Sequence, residues 1–248
     1  MSANVRAVIV EPRKHAALND VVQNMCEQNP QVPVTIVHGT KNADFAHQIA
    51  KKNSCVTHLA QLNAPNLNFP AYNKLLTSKN FWDAVGTHEH TLLFQTDAGI
   101  CGRGHTIDEF THWDYCGAPW HPSMQKLAEK AGRVGNGGFS IRNSQKMRDM
   151  SEKSGPVTTN EDIFFGEKCK DGACNKCPVD VAEQFSTESM KTDAYGFHAD
   201  WKYIADRKNN TDAACKIHEI VRDNQRVLEA PGKGPPRSWK PELTVSAV

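Results

Sequence analysis

Asp97 stands at the end of an apolar run, Thr91-Leu92-Leu93-Phe94-Gln95-Thr96-Asp97-Ala98-Gly99. The run reads as a buried strand that delivers one carboxylate to its carboxyl end. A buried carboxylate without a partner is costly, so a metal ion, a lysine or an arginine is expected beside it. An Asx turn capping the loop accounts for the same residue as well. A second constellation is Gly135-Asn136-Gly137-Gly138-Phe139-Ser140-Ile141-Arg142. Its glycines let backbone approach a ligand closely. It lacks the following helix and the spacing of a dinucleotide fingerprint, and the lysine of a P-loop. A β-bulge or tight turn is the plainer alternative. In Thr158-Thr159-Asn160-Glu161-Asp162-Ile163-Phe164-Phe165, acids follow a helix-capping signature. Glu161 and Asp162 either cap that helix or present a general base to a pocket. His198, within Tyr195-Gly196-Phe197-His198-Ala199-Asp200-Trp201, is a packed core histidine unless a metal site already exists.

The cysteines divide into two groups. Cys26, Cys55, Cys101 and Cys116 lie in apolar contexts and read as small core residues. Cys169, Cys174 and Cys177 share a short polar stretch whose spacing matches part of an iron–sulfur or zinc motif. Either metal needs a fourth ligand, from Cys215 or a histidine, and structural zinc sites are closed by four. Free thiols or a local disulfide are therefore expected there. The N-terminus has no basic start and apolar stretch of a secretory leader. Reduced thiols and a cytoplasmic location follow as expectations, and the Asn209-Asn210-Thr211 glycosylation triplet carries little weight.

These residues need elements to hold them. Val5–Val10 is a β-branched run stopped by Glu11-Pro12-Arg13. His15–Gln28 has Leu18, Val21, Val22 and Met25 at helical spacing. A strand over Val32–Val37 ends at His38-Gly39-Thr40, a helix covers Ala43–Lys52, and Cys55–Leu59 is a third strand. Strand and helix alternating in this way predict a parallel sheet with crossover helices. A helix is expected over Tyr72–Val85, a strand over Trp113–Trp120, and helices near Ser144–Ser151 and from Thr158. Open α/β sheets bind ligands beyond the carboxyl ends of their strands. Val10, Glu11, Pro12 and Arg13, His38 and Gly39, and Gln95, Thr96 and Asp97 therefore form the expected nucleotide and donor site.

The chain has 248 residues and a net charge of +1, with 39% hydrophobic and 23% charged residues. That is a soluble globular composition with no broad basic surface, so nucleic acid is not the expected partner. No run approaches the roughly 18 apolar residues of a membrane span. There are no repeats and no long linker. One domain is expected over 1–229, with a Pro- and Lys-rich tail or surface strap over 230–248.

In order along the chain, several segments resemble the GT-A class of nucleotide-sugar glycosyltransferases. They also resemble a family of GT-A-type proteins of unknown function found among algae and large DNA viruses. The segments are Val10-Glu11-Pro12-Arg13, Tyr72-Asn73-Lys74-Leu75-Leu76, Phe81-Trp82, Phe94-Gln95-Thr96-Asp97, Tyr115-Cys116-Gly117-Ala118-Pro119-Trp120, Gly135–Arg142, Glu161-Asp162-Ile163-Phe164-Phe165, Phe185-Ser186-Thr187-Glu188 and Gly196-Phe197-His198. The resemblance implies a GT-A-like, Rossmann-like α/β fold with a mixed, mainly parallel sheet flanked by helices. It implies an Asp-x-Asp motif that holds Mn²⁺ or Mg²⁺ against a donor diphosphate. Gln95 stands where the first aspartate would be, and Asp97 matches the second. A late histidine, here His198, would complete the metal site. The implied reaction is sugar transfer from a nucleotide sugar, uridine being the expected base, to a glycan or glycoprotein acceptor hydroxyl.

Within that reading, Asp162 is the expected base, with Glu161 next, and the outcome is inverting. Asn136, Gly137 and Gly138 face the acceptor or sugar. The competing readings are a metal-dependent phosphohydrolase or nucleotidyltransferase using Asp97 and His198, and a degenerate nucleotide-sugar binding module without turnover.

Overall fold

The structure is a computed structural model that describes residues 4–157, 159–190, 193–204, 215–230 and 232–248. The Asn209-Asn210-Thr211 triplet and Thr158 lie outside the described residues. The apolar run Val5–Val10 forms β1, buried along its whole length. Strands β2 (Val34–His38) and β3 (Val56–Leu62) follow, joined through helices α1 (Leu18–Gln28) and α2 (Ala43–Lys52). α1 buries Leu18, Val21, Val22 and Met25, one stripe at helical spacing. Strand β4 (His90–Phe94) lies on the other side of β1, and all three pairings, β3 with β2, β2 with β1 and β1 with β4, are parallel.

Antiparallel strands close both ends of this sheet. β7 (Phe139–Asn143) pairs with β4, and the short β6 (Tyr115–Gly117) pairs with β7. At the far edge β10 (Leu243–Ala247) pairs with β3, giving the order β10-β3-β2-β1-β4-β7-β6. A second sheet, in the order β5-β9-β8, contains β5 (Ala98–Ile100), β8 (Ser186–Thr187) and β9 (Gly196–His198). Alternation along β1 splits the core. Ala7 and Ile9 pack with α1 residues and Phe139, whereas Val8 and Val10 pack with Leu75, Trp82 and Phe165.

Two expectations need correction. The helix expected over Tyr72–Val85 is two helices, α3 (Phe69–Leu76) and α4 (Lys79–Val85). The Thr77 hydroxyl donates back to the Asn73 carbonyl, and Ser78 caps the next helix by accepting from the Phe81 amide. The described residues of the 230–248 segment run against the rest of the chain. Trp239 donates its indole N–H to Asn63, Asn66 donates to the Gly232 carbonyl, and the segment ends as an edge strand. Finally, no cysteine is free. The pairs are Cys26–Cys55, Cys101–Cys215, Cys116–Cys177 and Cys169–Cys174, with Cα–Cα distances of 5.5, 5.2, 5.2 and 4.5 Å, all within disulfide reach. The reduced thiols expected from the sequence are thus replaced by bonds. Cys169 and Cys174 form the local disulfide that was one expected alternative. Cys177 and Cys215 are committed elsewhere, so no thiol remains to hold zinc. Among the described residues, no helix is long and apolar enough to cross a membrane.

Candidate functional site

A cavity of about 640 Å³ opens at the carboxyl ends of β1 and β4, a size suited to a small-molecule ligand. Its first wall is the turn after β1, Val10 to Arg13. The buried Glu11 accepts from Arg13 Nε at 2.7 Å and Nη2 at 2.6 Å, so the half-exposed guanidinium is held in one orientation. Asn42 donates to the carbonyls of Glu11 and Arg13 and ties this turn to the start of α2.

His38 and Gly39 were expected in the same wall but do not line the cavity. The His38 ring turns back to the Gly39 carbonyl, and the loop after β3 covers the strand end. A Cβ on Gly39 would meet the carbonyls of Ala64 and Pro65 at 2.9 Å.

The second wall is built by the small sheet. Ala98 pairs with His198 across β5 and β9, and the Ala199 amide donates to the Asp97 carbonyl. This brings Asp97 and His198 together although they are far apart in sequence: His198 Nε2 lies 3.3 Å from Asp97 Oδ1. The same nitrogen lies 3.2 Å from Gln95 Oε1, and Gln95 is pinned from behind by its amide donating to the Tyr72 hydroxyl at 2.9 Å. On the other side of the ring, His198 Nδ1 lies 3.1 Å from Glu188 Oε1. Lys202, half exposed, donates to Asp97 Oδ2 at 2.8 Å. Burial alone would lower the His198 pKa, but Asp97 and Glu188 outweigh it and raise it to about 10. Burial alone would raise that of Asp97, but His198 and Lys202 hold it well below the usual carboxylate range.

The third wall holds Asn136, Gly137, Gly138, Glu161 and Asp162. A Cβ on Gly138 would overlap the His198 imidazole, and one on Gly137 would overlap a Glu161 oxygen. Asn136 Oδ1 accepts from the Gly138 amide at 3.1 Å, which leaves its N–H groups to offer a ligand. Gly138→Ala is therefore expected to push the His198 ring away from Asp97. Loss of activity at near-wild-type thermal stability would be the readout, and wild-type activity would show that the ring can shift without consequence.

The two acids of this wall differ. Glu161, at the start of α7 (Glu161–Lys170), makes a two-pronged ion pair with Arg142, at 2.5 and 3.0 Å. The Arg142 side chain is 0% exposed and stands over the Tyr115 and Phe165 rings. Removing either partner of such a buried pair is strongly destabilising. Glu161 is thus committed to structure and is not a spare base. Among the described residues Asp162 accepts only from the Ile163 amide, and burial, with the nearby charge of Glu161 adding to it, pushes its pKa up to about 6.

Sequence reasoning missed Tyr72 as the support of Gln95, Lys202, Glu188, and the wall made by Gln225, Arg226 and Val227. That last segment, after α9 (Lys216–Asp223), crosses the end of β1, with Gln225 donating to the Thr96 carbonyl and Val227 bridging to His15. The signal for Lys202 was its place four residues after His198. Nothing local marked residues 225–227.

Residues 59–202 match the model of a family described as a protein of unknown function, DUF5672. No curated protein matches the sequence. Among solved structures, the chain is similar to the galactosyltransferase LgtC, determined in complex with donor and acceptor sugar analogues. The identity is 11%, the match covers 90% of this chain and 98% of that one, and the TM-score is 0.50. It is also similar to the glycosyltransferase GlyE of Streptococcus pneumoniae TIGR4, with 13% identity, 93% of this chain and 61% of that chain covered, and a TM-score of 0.47. At these identities the likeness is one of fold. The mixed, mainly parallel sheet described above matches the GT-A type expected from the sequence.

Proposed function

The chain belongs to the DUF5672 family of proteins of unknown function, and we propose that it is a glycosyltransferase that moves a sugar from a nucleoside diphosphate to an acceptor hydroxyl. One observation carries this reading. A single cavity presents Asp97, His198 and Lys202 on one wall, suited to a diphosphate, and on another wall a carboxyl group, Asp162, with a pKa of about 6.

The wall that carries Gln95, Asp97 and His198 has the donors for a divalent cation. Asp97 Oδ1 and Gln95 Oε1 lie 3.3 and 3.2 Å from His198 Nε2. Adjacent ligand atoms about 2.1 Å from a hard cation are roughly 3 Å apart, so this donor set fits Mn²⁺ or Mg²⁺. Manganese is favoured because it accepts imidazole. Among the described residues no three His, Cys, Asp or Glu side chains are placed to hold one metal ion, and Glu188 sits on the far nitrogen of the His198 ring. A cation held by Asp97 and His198 would stabilise the charge that gathers on the leaving diphosphate.

The protein's own groups do the rest. Arg13, oriented by Glu11, and the turn after β1 bind the nucleoside, with uridine as the proposed base. Lys202 lies where it can add a positive charge to the diphosphate. Asn136 donates to a sugar hydroxyl, and Asp162 takes the proton from the acceptor hydroxyl as the new bond forms. An inverting outcome follows if Asp162 and the diphosphate lie on opposite faces of the sugar. A glycan or glycoprotein is the proposed acceptor.

The test is a panel of nucleotide sugars with and without Mn²⁺, read by nucleotide release and by sugar transfer to glycan acceptors. UDP with Mn²⁺ is expected to raise the melting temperature more than GDP does. A larger shift with GDP would overturn the choice of base. Donor cleavage that needs no acceptor would favour a phosphohydrolase, and binding without turnover would favour a sugar-nucleotide binding module.

A further inference from the structure

The segment Phe185-Ser186-Thr187-Glu188 has no part in the mechanism above, yet it ends in a carboxylate only 5% exposed. The backbone places it with care. Strands β8 and β9 run parallel, with Ser186 opposite Gly196 and Thr187 opposite Phe197, so the next residues in register are Glu188 and His198. On the other edge of β9, the antiparallel pairing of Ala98 with His198 sets Asp97 one residue before the contact. The small sheet thus lines up three side chains in the order Glu188, His198, Asp97, with separations of 3.1 and 3.3 Å on opposite nitrogens of one ring.

We propose that Glu188 is a positioning residue that holds His198 with Nδ1 as the donor and Nε2 turned toward Asp97 as the cation-binding atom. The proposal rests on the cation reading given above. A carboxylate oxygen only accepts hydrogen bonds, so once a cation takes the place of the Nε2 proton beside Asp97, the remaining ring proton resides on Nδ1 and donates to Glu188. That leaves the Nε2 lone pair on the side of Asp97 and Gln95. The absent side chain of Gly138 makes room for the ring there. A carboxylate behind a metal-binding histidine fixes its tautomer and raises its basicity. It also returns a negative charge to a site where Gln95 stands in place of an acid. The short strands of the second sheet therefore have a purpose beyond packing: they set the register of this relay.

The experiment is titration of the full chain with Mn²⁺ in the presence of UDP, by calorimetry, for the wild type and Glu188→Gln. It is accompanied by imidazole ¹⁵N spectra of histidine-labelled protein bound to UDP and Mg²⁺, which unlike Mn²⁺ does not broaden the signals. Glutamine is nearly isosteric, so the fold is expected to survive with little change in melting temperature. Manganese affinity is expected to fall about 10–100-fold, and the Nδ1–H tautomer signal of His198 to diminish. A Glu188→Asp protein keeps the charge but withdraws it from Nδ1. It is expected to lose manganese affinity as well, and provides the test should the glutamine variant fold poorly. Wild-type manganese affinity in the folded variant would overturn the role of Glu188 and leave the cation reading intact. No manganese binding by the wild type would overturn the cation reading, and the proposal with it.

Discussion

Asp162→Asn is expected to lower kcat by about 10²–10⁴-fold, the usual contribution of a general base, while nucleotide affinity stays unchanged. Burial and the neighbouring charge of Glu161 lift the Asp162 pKa from 3.8 to about 6, so the group is ionised at neutral pH but basic enough to share a proton with a hydroxyl. The base form is the deprotonated one. Activity should therefore rise with pH through about 6 and fall below it as Asp162 takes up a proton. The asparagine protein should lack this acid limb. Stability gives an independent sign. A carboxyl group with a raised pKa favours the folded state below its unfolded value of 3.8, and that contribution is lost as pH rises through about 6. At pH 7 the asparagine variant should thus be at least as stable as the wild type. A variant with full activity and an unchanged pH profile would remove Asp162 from the role. Glu161 could not replace it without giving up Arg142.

The sheet was legible because its strands announce themselves one at a time. Val5–Val10 and Thr91–Phe94 are apolar runs too short for helices and stopped by polar residues. The rule that ligands sit beyond strand carboxyl ends singled out Glu11 to Arg13 and Gln95 to Asp97, which line one cavity. The same rule failed at His38 and Gly39. A strand end gives the edge of the sheet but not the loop that covers it, and here Ala64 and Pro65 come from a different crossover.

The second sheet was not legible. β8 has two residues and β9 three, too few to show a period of two. What joins Asp97, His198 and Glu188 is pairing between distant segments. The resemblance supplied His198, and nothing in its neighbours would have. Disulfide connectivity is hidden for a similar reason, since eight cysteines can pair in about 105 ways and sequence spacing does not choose among them.

Removing the Cys101–Cys215 bond by replacing both residues with serine is expected to cause the largest loss of stability of any change to the cysteines. It closes a loop across 114 positions, compared with 61, 29 and 5 for the other three pairs. On a chain-entropy model, a loop of that length is worth about 4–5 kcal/mol. That is a large part of the roughly 5–15 kcal/mol that holds a typical domain together. For a domain of this size it corresponds to a drop of about 10 °C or more in melting temperature. The bond also has a place in the site. It ties the loop leaving β5, a few residues beyond Asp97, to the start of α9, whose far end leads into the cavity wall at Gln225 and Arg226. The serine variant should therefore lose nucleotide affinity together with stability, whereas breaking the short Cys169–Cys174 loop should cost only about 2 kcal/mol on the same model and leave nucleotide affinity unchanged. Four such bonds stand in place of the reduced thiols expected from the sequence. Protein folded under oxidising conditions should yield these four pairs on peptide mapping without reductant, and should melt far higher than the same protein in dithiothreitol. Eight alkylatable thiols in the native, fully stable protein would show that the cysteines are packing residues after all.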